Sequence, residues 1–328
     1  MRQRLKNLKT ITFAPTQQSI NLAAKYGYAE WMINRFLQFV PNAKDLMEKM
    51  QQPVQKYIRT NTLKITNREL LARLASKGFE LKKTILADVF EINSNNATIS
   101  IGATTEFLLG YYYIQDISSC IAVEALDIKR NSTVLDMASA PGGKTTLIAQ
   151  KMDNTGCIVA IEPHPYRTKS LLFNLARCGV INTAVYQIDA TICQSLNVSF
   201  DRILLDAPCS GEGVIWKDTS RKTSRTPDDI SQCSFLQEKL LEAGLRVLKP
   251  GGIIVYSTCS FAPEENEHIV NSILDKFDVK VQPLPFGTEG LTVFGSKAFS
   301  KELKFTVRLY PHIDNSMGFY IARLRKNN

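Results

Sequence analysis

Two runs, Arg202-Ile-Leu-Leu-Asp-Ala-Pro-Cys209 and Gly252-Ile-Ile-Val-Tyr-Ser-Thr-Cys259, decide the fold of this 328-residue chain. Each is an apolar run that stops at small or turn-forming residues, which is typical of a buried strand in a parallel sheet. Parallel α/β sheets bind ligands just beyond the carboxyl ends of their strands. Both cysteines are therefore predicted to face one cleft.

Predicted strands and helices alternate over residues 113–328. Apolar runs end at Asp136, Glu162, Asp189, Asp206 and Thr258. Helical spacing falls at Asp116–Leu126 and near 142–152, 165–178, 230–247 and 263–276. This alternation predicts an α/β fold with a doubly wound parallel sheet. Two last apolar runs, Phe305–Tyr310 and Gly318–Leu324, have no helix between them and predict an antiparallel pair at one edge.

Two smaller segments precede the sheet. Residues 17–50 have helical apolar spacing and predict a helical cap that covers residues 1–52. Residues 53–112 predict a small α+β module that contains a strand from Tyr57 to Leu63 and a helix from about Asn67 to Lys77. Three polar residues alternate on or just after the strand, namely Arg59, Asn61 and Lys64. We interpret them as a polar face offered to nucleic acid.

The composition is that of an ordinary soluble protein. No run of 18 or more apolar residues is present, so no membrane span is expected. The start, Met1-Arg-Gln-Arg-Leu-Lys6, lacks the apolar core of a secretory signal. Seven cysteines without a C-x-x-C pair favour a reduced, cytoplasmic compartment and argue against a cysteine-rich zinc site. We expect a monomer without a metal ion.

The positive charge is concentrated near the N-terminus. Residues 1–83 hold 16 Lys and Arg against 5 Asp and Glu, whereas residues 84–328 hold 24 against 26. A concentrated basic region is typical of phosphate-backbone binding, so the charge predicts an RNA or DNA partner.

The two cysteines that end the quoted runs are candidates for covalent catalysis. A thiolate is a strong protein nucleophile, so two in one cleft favour covalent chemistry. The alternative is that both are buried as small hydrophobic residues. That alternative suits the other five, which lie in apolar or helical surroundings: Cys120, Cys157, Cys178, Cys193 and Cys233. Cys209 and Cys259 instead lie in polar turns beyond their strands.

A glycine turn follows the first strand of the predicted sheet. The stretch Asp136-Met-Ala-Ser-Ala-Pro-Gly-Gly-Lys-Thr-Thr146 reads as strand, turn and helix start, where backbone can approach a ligand closely. A P-loop requires a glycine where Ala138 stands, and a dinucleotide G-x-G-x-x-G is absent. Acidic residues that end consecutive strands, Glu162 and Asp189, suit a ribose diol and an adenine amino group. Taken singly, each acid is also explained as a strand-end or cap residue.

The predicted ligand of this turn is S-adenosylmethionine, a nucleoside without phosphates that carries a cationic sulfonium. The candidate cofactor-binding residues are Ala138, Ser139, Ala140, Pro141, Gly142, Gly143, Lys144, Glu162, Arg167, Asp189 and Asp206.

At this point the chain resembles the RNA cytosine-5 methyltransferases of the RsmB/Sun/Nop family, from roughly Ala23 to Lys326. The resemblance is carried by four motifs: Arg59-Thr-Asn61, Ala138-Ser-Ala-Pro-Gly-Gly-Lys144, Asp206-Ala-Pro-Cys-Ser-Gly211 and Ser257-Thr-Cys-Ser260. It implies a Rossmann-like class I methyltransferase sheet, S-adenosylmethionine as cofactor and a cytosine in RNA as target. The short layout, in which no large extra domain is visible, and the stretch Leu109-Gly-Tyr-Tyr-Tyr-Ile-Gln-Asp116 are similar to archaeal-type tRNA enzymes. This resemblance favours tRNA over rRNA as the substrate.

The chain departs from the family pattern at two positions. Ala138 stands where the family often has cysteine, and Met317-Gly-Phe-Tyr320 stands where it usually has Asp-Gly-Phe-Phe. The small size at position 138 is kept. No acidic role is expected at position 317.

The resemblance also implies roles for the candidate catalytic residues. Cys259 would be the nucleophile that adds to C6 of cytosine, and Cys209 would take part in release of the product. Asp206 would hold the edge of the base, and Lys144 would orient groups or stabilise charge, or else make a structural contact. DNA cytosine-5 methyltransferases use a Pro-Cys cysteine as nucleophile, so an exchange of the two cysteine roles stays open.

RNA contacts are expected from basic and polar residues in two regions. The candidates are Arg59, Asn61, Lys64, Lys217, Arg221, Lys222, Arg225 and His312. Three alternatives remain: an rRNA enzyme, a DNA cytosine-5 methyltransferase, and a non-catalytic RNA-binding protein on a methyltransferase scaffold. A fourth, a P-loop hydrolase, fails because Ala138 stands where its motif requires glycine. The sequence leaves open whether a helper protein takes part.

Overall fold

The computed structural model describes residues 10–52 and 55–328. The chain divides into two compact units. The first contains the described residues up to Gln52, together with Ala207–Leu245 and Tyr256–Asn327. The second contains Gln55–Asp206 and Arg246–Val255, with Asn328. The basic residues Arg2, Arg4, Lys6 and Lys9 of the predicted charge-rich quarter lie outside the described residues.

The helices have the following bounds in chain order: α1 Gln17–Tyr26, α2 Glu30–Phe39, α3 Ala43–Lys49, α4 Asn67–Ala75, α5 Thr105–Leu108, α6 Ile117–Glu124, α7 Gly143–Met152, α8 Pro165–Cys178, α9 Arg221–Ser224, α10 Pro227–Val247, α11 Glu267–Leu274 and α12 Pro311–Asp314. The strands are β1 Lys56–Thr60, β2 Glu80–Lys83, β3 Val89–Asn93, β4 Tyr112–Ile114, β5 Thr133–Asp136, β6 Cys157–Ile161, β7 Thr183–Tyr186, β8 Phe200–Asp206, β9 Leu248–Thr258, β10 Val279–Gln282, β11 Thr288–Glu289, β12 Val293–Phe294, β13 Lys297–Ala298, β14 Val307–Leu309 and β15 Phe319–Lys326. Short 3₁₀ turns occur at Ile101–Ala103, Ala190–Leu196, Glu212–Val214 and Lys301–Phe305.

The second unit contains a parallel sheet in the order β7-β6-β5-β8, with β9 beside β8. β5 pairs in parallel with both β6 and β8, and β6 pairs in parallel with β7. Leu135, Ile158 and Ile203 are fully buried, as expected of strands covered on both faces. The predicted doubly wound parallel sheet is confirmed.

A four-stranded antiparallel sheet, in the order β2-β3-β1-β4, also belongs to the second unit. Its core joins Ile58, Phe79 and Phe90 to Leu70 and Leu74 of α4. Apolar residues four apart place both leucines on one face of α4, and this face packs on the sheet.

In the first unit, β15 pairs antiparallel with β14 and with β10, and β14 pairs antiparallel with β11. The predicted antiparallel pairing of the last two apolar runs is confirmed. Its placement at an edge is corrected, because β11 lies on the other side of β14.

The N-terminal helices pack within the first unit. Side chains of α1, α2 and α3 share a hydrophobic core with Phe261, Phe294 and Tyr310. The sequence predicts three segments, 1–52, 53–112 and 113–328. The compact units do not follow these bounds, because the first segment packs with C-terminal residues, so the three-segment division stays a prediction.

Local chemistry explains where several elements begin and end. The predicted helix 165–178 is found with these bounds: Pro165 opens it, and Gly179 ends it in a left-handed conformation with φ of +74°. The third strand of the parallel sheet ends at Tyr186 rather than at Asp189. Within residues 10–52 and 55–328, no helix has the length and apolar character needed to span a membrane.

Candidate active site

The loop between β5 and α7 carries the predicted cofactor-binding residues. Gly142 has φ of +105°, a conformation that side-chain-bearing residues rarely adopt, and Gly143 begins the helix. A Cβ atom at Gly143 would lie 3.2 Å from the ring of Tyr113. The two glycines therefore allow a tight turn at the N-terminus of α7, which is closed by the N–H of Gly142 donating to the carbonyl oxygen of Ser139 at 2.8 Å.

The other residues of this loop are held against neighbouring strands and helices. Ser139 donates its backbone N–H and its hydroxyl to the carbonyl oxygen of Ile161, at 3.0 and 2.9 Å. The carbonyl oxygen of Ala140 accepts from Arg167 at 2.9 Å, and that of Pro141 accepts from Asn174 at 2.9 Å. The loop is thus fixed by the last residue of β6 and by two side chains of α8.

Asp136 ends β5 directly before the loop. Its carboxyl group is fully buried and accepts from the hydroxyl of Thr145 at 2.7 Å. Burial raises the pKa of Asp136 to about 6. The carboxyl group ties the strand end to the first turn of α7.

Lys144 and Asp206 form an ion pair within the second unit. Nζ of Lys144 lies 2.6 Å from Oδ2 of Asp206, and both side chains are largely shielded from solvent. Lys144 is on the first turn of α7, whereas Asp206 is the last residue of β8. The structure therefore brings two of the four predicted catalytic side chains into direct contact.

Glu162 follows β6 and is fully buried. One carboxyl oxygen accepts from the N–H of His164 at 3.1 Å, and the other lies 3.3 Å from Nη1 of Arg167. That second oxygen has no hydrogen-bond partner among the described residues. A buried carboxylate with an unfilled acceptor suits the hydroxyl donors of a ribose, so the residues present fit a nucleoside cofactor.

Asp189, the predicted partner of an adenine amino group, caps a 3₁₀ turn. Its carboxylate accepts from the N–H and the hydroxyl of Thr191, both at 2.8 Å. The side chain is exposed. Asp189 is therefore a cap residue, as one of the two explanations considered from sequence states. A contact between Asp189 and the cofactor stays a prediction.

The two cysteines meet in the first unit. Sγ of Cys209 lies 3.1 Å from Sγ of Cys259, and both residues are partly exposed. Two backbone hydrogen bonds join their loops: Ala207 N–H to the carbonyl oxygen of Ser257, and Gly213 N–H to that of Cys259, both at 2.8 Å. The matching strand ends predicted from sequence therefore place the two thiols in contact.

The residues predicted to form a polar face on the first strand are placed differently. Arg59 is fully buried and donates to the carbonyl oxygen of Gly143 and the hydroxyl of Thr146, both at 2.8 Å. Asn61 is also buried and donates to two backbone carbonyl groups, at Gly110 and Cys178. The predicted exposed polar face is therefore wrong for both residues, because their side chains hold neighbouring backbone within the second unit.

The other predicted RNA-contacting residues lie at or near the surface. Lys64 and Lys217 are exposed, and Lys217 lies over the ring of Trp216. Arg221 lies 3.3 Å from the carbonyl oxygen of Ser210, next to Cys209. Lys222 donates to the carbonyl oxygen of Tyr26, and burial lowers its pKa.

Arg225 and His312 complete that group, and both are partly buried. The Nε2 atom of His312 lies 2.7 Å from the carbonyl oxygen of Pro41. Contact with RNA stays a prediction for all the exposed and partly exposed candidates.

Sequence reasoning missed a set of buried polar residues in the first unit. The serine that follows each cysteine, Ser210 and Ser260, contacts the buried carboxyl group of Glu265. Glu212, three residues after Cys209, is buried with no hydrogen-bond partner for either carboxyl oxygen among the described residues. The serine in the same place after each cysteine was the signal that could have pointed to Glu265.

Comparison with known proteins places these residues in a family. A sequence profile described as 16S rRNA methyltransferase RsmB/F matches residues 123–325. A second, described as Methyltr_RsmF/B-like ferredoxin-like domain, matches residues 28–96.

Curated relatives match most of this chain. The mouse 28S rRNA (cytosine-C(5))-methyltransferase is 39% identical over 314 residues, which are 93% of this chain and 40% of that protein. The ribosomal RNA small subunit methyltransferase F of Aliivibrio fischeri is 39% identical over 284 residues, covering 85% of this chain and 59% of that protein. The chain thus spans roughly half the length of these relatives.

Solved structures match along almost the whole chain. A methyltransferase homolog protein from Pyrococcus horikoshii is 42% identical with a TM-score of 0.87, covering 95% of this chain and 99% of that one. NSun6 from the same organism is 25% identical with a TM-score of 0.77, covering 96% and 98%. Together with the profile match over residues 123–325, these likenesses show that the chain belongs to the RsmB/F family of methyltransferases.

Proposed function

We propose that this chain transfers a methyl group from S-adenosylmethionine to C5 of cytosine in RNA. The observation that carries the proposal is the 3.1 Å approach of the Cys209 and Cys259 thiols at the ends of two strands, in a chain of a methyltransferase family. C5 of cytosine is too weak a nucleophile to attack a methyl donor unaided. Covalent addition of a thiolate to the ring overcomes this.

Residues of the second unit would hold the cofactor. Bound S-adenosylmethionine supplies an electrophilic methyl group. The turn at Gly142 and Gly143 would let the cofactor approach the N-terminus of α7 closely, and the unfilled oxygen of Glu162 would accept from ribose hydroxyl groups.

Cys259 is the proposed nucleophile. Its thiolate adds to C6 of the cytosine, and the electrons displaced from the C5–C6 bond give C5 the character of an enamine carbon. C5 would then form the new bond to the methyl group while the bond from that methyl carbon to the sulfonium sulfur breaks, its electron pair staying on the sulfur of the demethylated cofactor. After this transfer, C5 carries both the methyl group and its original proton, and C6 remains bonded to Sγ of Cys259.

Release requires that C5 lose its proton, so that the C5–C6 double bond re-forms and the Cys259 thiolate leaves. We assign a part in this step to Cys209, whose sulfur lies 3.1 Å from that of Cys259. A thiolate at this position would accept the C5 proton or pass it on.

Asp206 and Lys144 act on the charge of the base. The Asp206 carboxyl group would hold the edge of the cytosine by accepting from its amino group, and the ammonium group of Lys144 would oppose the negative charge that the ring gains when the thiolate adds. Lys144, 2.6 Å from Asp206, fixes the position of that carboxyl group. A target cytosine in a paired region must leave its stack first, which costs roughly a few kcal/mol.

Two RNA classes compete as substrate. The curated relatives described above are named as rRNA methyltransferases, which favours rRNA. The short layout of the chain resembles that of archaeal-type tRNA enzymes, which favours tRNA. The proposal is therefore RNA cytosine-5 methylation, with rRNA and tRNA distinguished by experiment.

The test incubates the purified chain with labelled S-adenosylmethionine and, separately, tRNA, rRNA and DNA, followed by digestion to nucleosides. Label is expected in 5-methylcytidine from one RNA class, and none from Cys259→Ala. Label in DNA alone would replace the proposal with a DNA methyltransferase. Binding of RNA and cofactor without label from any substrate would favour the non-catalytic scaffold instead.

A further inference from the structure

A single buried carboxyl group joins the two cysteine loops in the first unit. Glu265 is fully buried, and its carboxyl group contacts Ser210 and Ser260, the residues that follow the two cysteines. Oε1 accepts from the hydroxyl of Ser260 at 2.7 Å and also contacts the hydroxyl of Ser210. The two hydroxyl oxygens lie 3.0 Å from each other.

The other oxygen of Glu265 fixes the backbone of the first cysteine loop. Oε2 accepts from the N–H of Ser210 and from Nε2 of Gln237, both at 2.9 Å. Gln237 also donates to the carbonyl oxygen of Pro208 at 2.8 Å. The peptide groups on both sides of Cys209 are therefore held, directly or through Gln237, by one carboxyl group.

We infer that Glu265 is the positioning residue that sets the distance between the Cys209 and Cys259 thiols. No other side-chain group of the described residues is seen to hydrogen bond with both serines. Because Ser210 and Ser260 are each bonded to a cysteine in the chain, a shift of either serine moves a thiol. The catalytic consequence rests on the proposed function, whereas the thiol geometry does not.

The chemistry of the contacts indicates that Glu265 acts through hydrogen bonds rather than through charge. Burial raises its pKa, and the donors around it only partly oppose this rise. A glutamine fits the same contacts: its carbonyl oxygen can accept both N–H groups at the Oε2 position. Its amide can donate to the two serine hydroxyls at the Oε1 position, since hydroxyls accept as well as donate.

The experiment measures thiol geometry without RNA or cofactor. The full-length protein is treated with dibromobimane, which bridges two neighbouring thiols, and the bridged Cys209–Cys259 peptide is quantified by mass spectrometry over time. Glu265→Met, which fills the space but accepts no hydrogen bond of this kind, is expected to bridge about tenfold more slowly or worse. Glu265→Gln is expected to bridge at close to the wild-type rate.

A matched control separates positioning from loss of stability. Glu264 is equally buried and pairs with Arg35 at 2.6 Å, but contacts neither serine. Glu264→Gln is expected to lower the melting temperature while leaving the bridging rate within about twofold, a change too small to report displaced thiols. If Glu265→Met is too unstable, the Ser210→Ala/Ser260→Ala pair removes the hydroxyl contacts alone and is expected to slow bridging to a smaller degree.

Bridging at the wild-type rate in folded Glu265→Met, or in the double alanine variant when that is the one that folds, would overturn the inference. Equal slowing by Glu264→Gln would also overturn it, because general loosening would then explain the effect. If the bridging rate depends on Glu265 as expected but no RNA is methylated, the positioning role is retained and the proposed function is rejected.

Discussion

Cys209 and Cys259 have asymmetric roles in the proposed reaction, although their thiols lie 3.1 Å apart. Cys259→Ala is expected to abolish both turnover and covalent adduct, since the C6–S bond cannot form. Cys209→Ala is expected to block turnover but leave protein attached to RNA, because addition and methyl transfer still occur. Denaturing gels of each variant with substrate RNA and cofactor distinguish these outcomes. An adduct from Cys259→Ala and none from Cys209→Ala would exchange the two assignments.

A second residue-scale prediction concerns Glu212, whose carboxyl group is buried without a hydrogen-bond partner among the described residues. Burial raises its pKa from 4.5 to about 8. The unfolded chain therefore releases this proton at lower pH than the folded chain, so the contribution of Glu212 to the free energy of unfolding falls as pH rises from 4.5 to about 8.

Glu212→Gln has no proton to lose and is expected to be more stable than the wild type at high pH. The gain should be on the order of a few kcal/mol above pH 8 and small near pH 4.5. Urea unfolding of both proteins across this range measures it, with exposed Glu289→Gln as the control. If the difference in the free energy of unfolding between the two proteins does not change with pH, the Glu212 carboxyl group is ionised in the folded chain over this range.

At the scale of elements, Arg59 links strand β1 to the helix that follows the glycine turn. Its guanidinium group donates to Gly143 and Thr146 on the first turn of α7 and lies 3.2 Å from Oε1 of Gln115. Because Gln115 and Thr146 are buried and Gly143 is half-buried, Arg59→Met removes a shielded donor from all three. It is expected to lower the free energy of unfolding by roughly 1–3 kcal/mol.

The same variant is expected to weaken cofactor binding while leaving RNA affinity per folded molecule unchanged. Isothermal titration with S-adenosylmethionine and a filter-binding assay with RNA measure the two effects. Lys56→Met, at the exposed start of the same strand, is the matched control. Weaker RNA binding with normal cofactor binding would restore the RNA-contact role expected from sequence.

The elements that sequence predicted well have strong local signals. β5, β8 and β9 end at Asp136, Asp206 and Thr258, where apolar runs meet turn-forming residues. The sequence predicts that the third strand of the parallel sheet ends at Asp189, but it ends three residues earlier, at Tyr186. No glycine or proline directly follows Tyr186 to mark the end of the strand in the sequence.

Tertiary contacts explain what the sequence could not predict about the site. Alternating polar residues such as Arg59 and Asn61 have the pattern of a wet strand face, yet their partners come from residues far along the chain. Glu264, Glu265 and Glu267 resemble the acidic first turn of a surface helix, and all three are buried. Burial of charged groups depends on partners such as Arg35 and Arg308, which no local pattern identifies.

At the scale of the whole molecule, the segregation of charge makes a prediction about RNA binding. The basic excess lies in residues 1–83, where Lys82 and Lys83 on β2 are exposed. The logarithm of RNA affinity is expected to fall linearly with the logarithm of salt concentration. Three phosphate contacts to a single strand would give a slope of about −2.

The Lys82→Gln/Lys83→Gln variant is expected to reduce the magnitude of that slope by about 1.4, if each lysine contacts one phosphate. The control replaces two exposed lysines outside the basic region, Lys239→Gln/Lys304→Gln, and should leave the slope unchanged. Fluorescence anisotropy at a series of salt concentrations measures both. Equal slopes for the two variants would show that phosphates do not contact β2.

The closeness of the two thiols also has a consequence for the electrochemistry of the protein. Two sulfurs held 3.1 Å apart and partly open to solvent need little movement to become a disulfide, with the loss of two electrons and two protons to a disulfide oxidant. Such a bond would occupy at once both sulfurs to which the proposed mechanism gives a role. The arrangement that the proposed mechanism uses for attack and release therefore makes the proposed activity depend on the reduction potential of its surroundings, a dependence that a thiol reductant reverses.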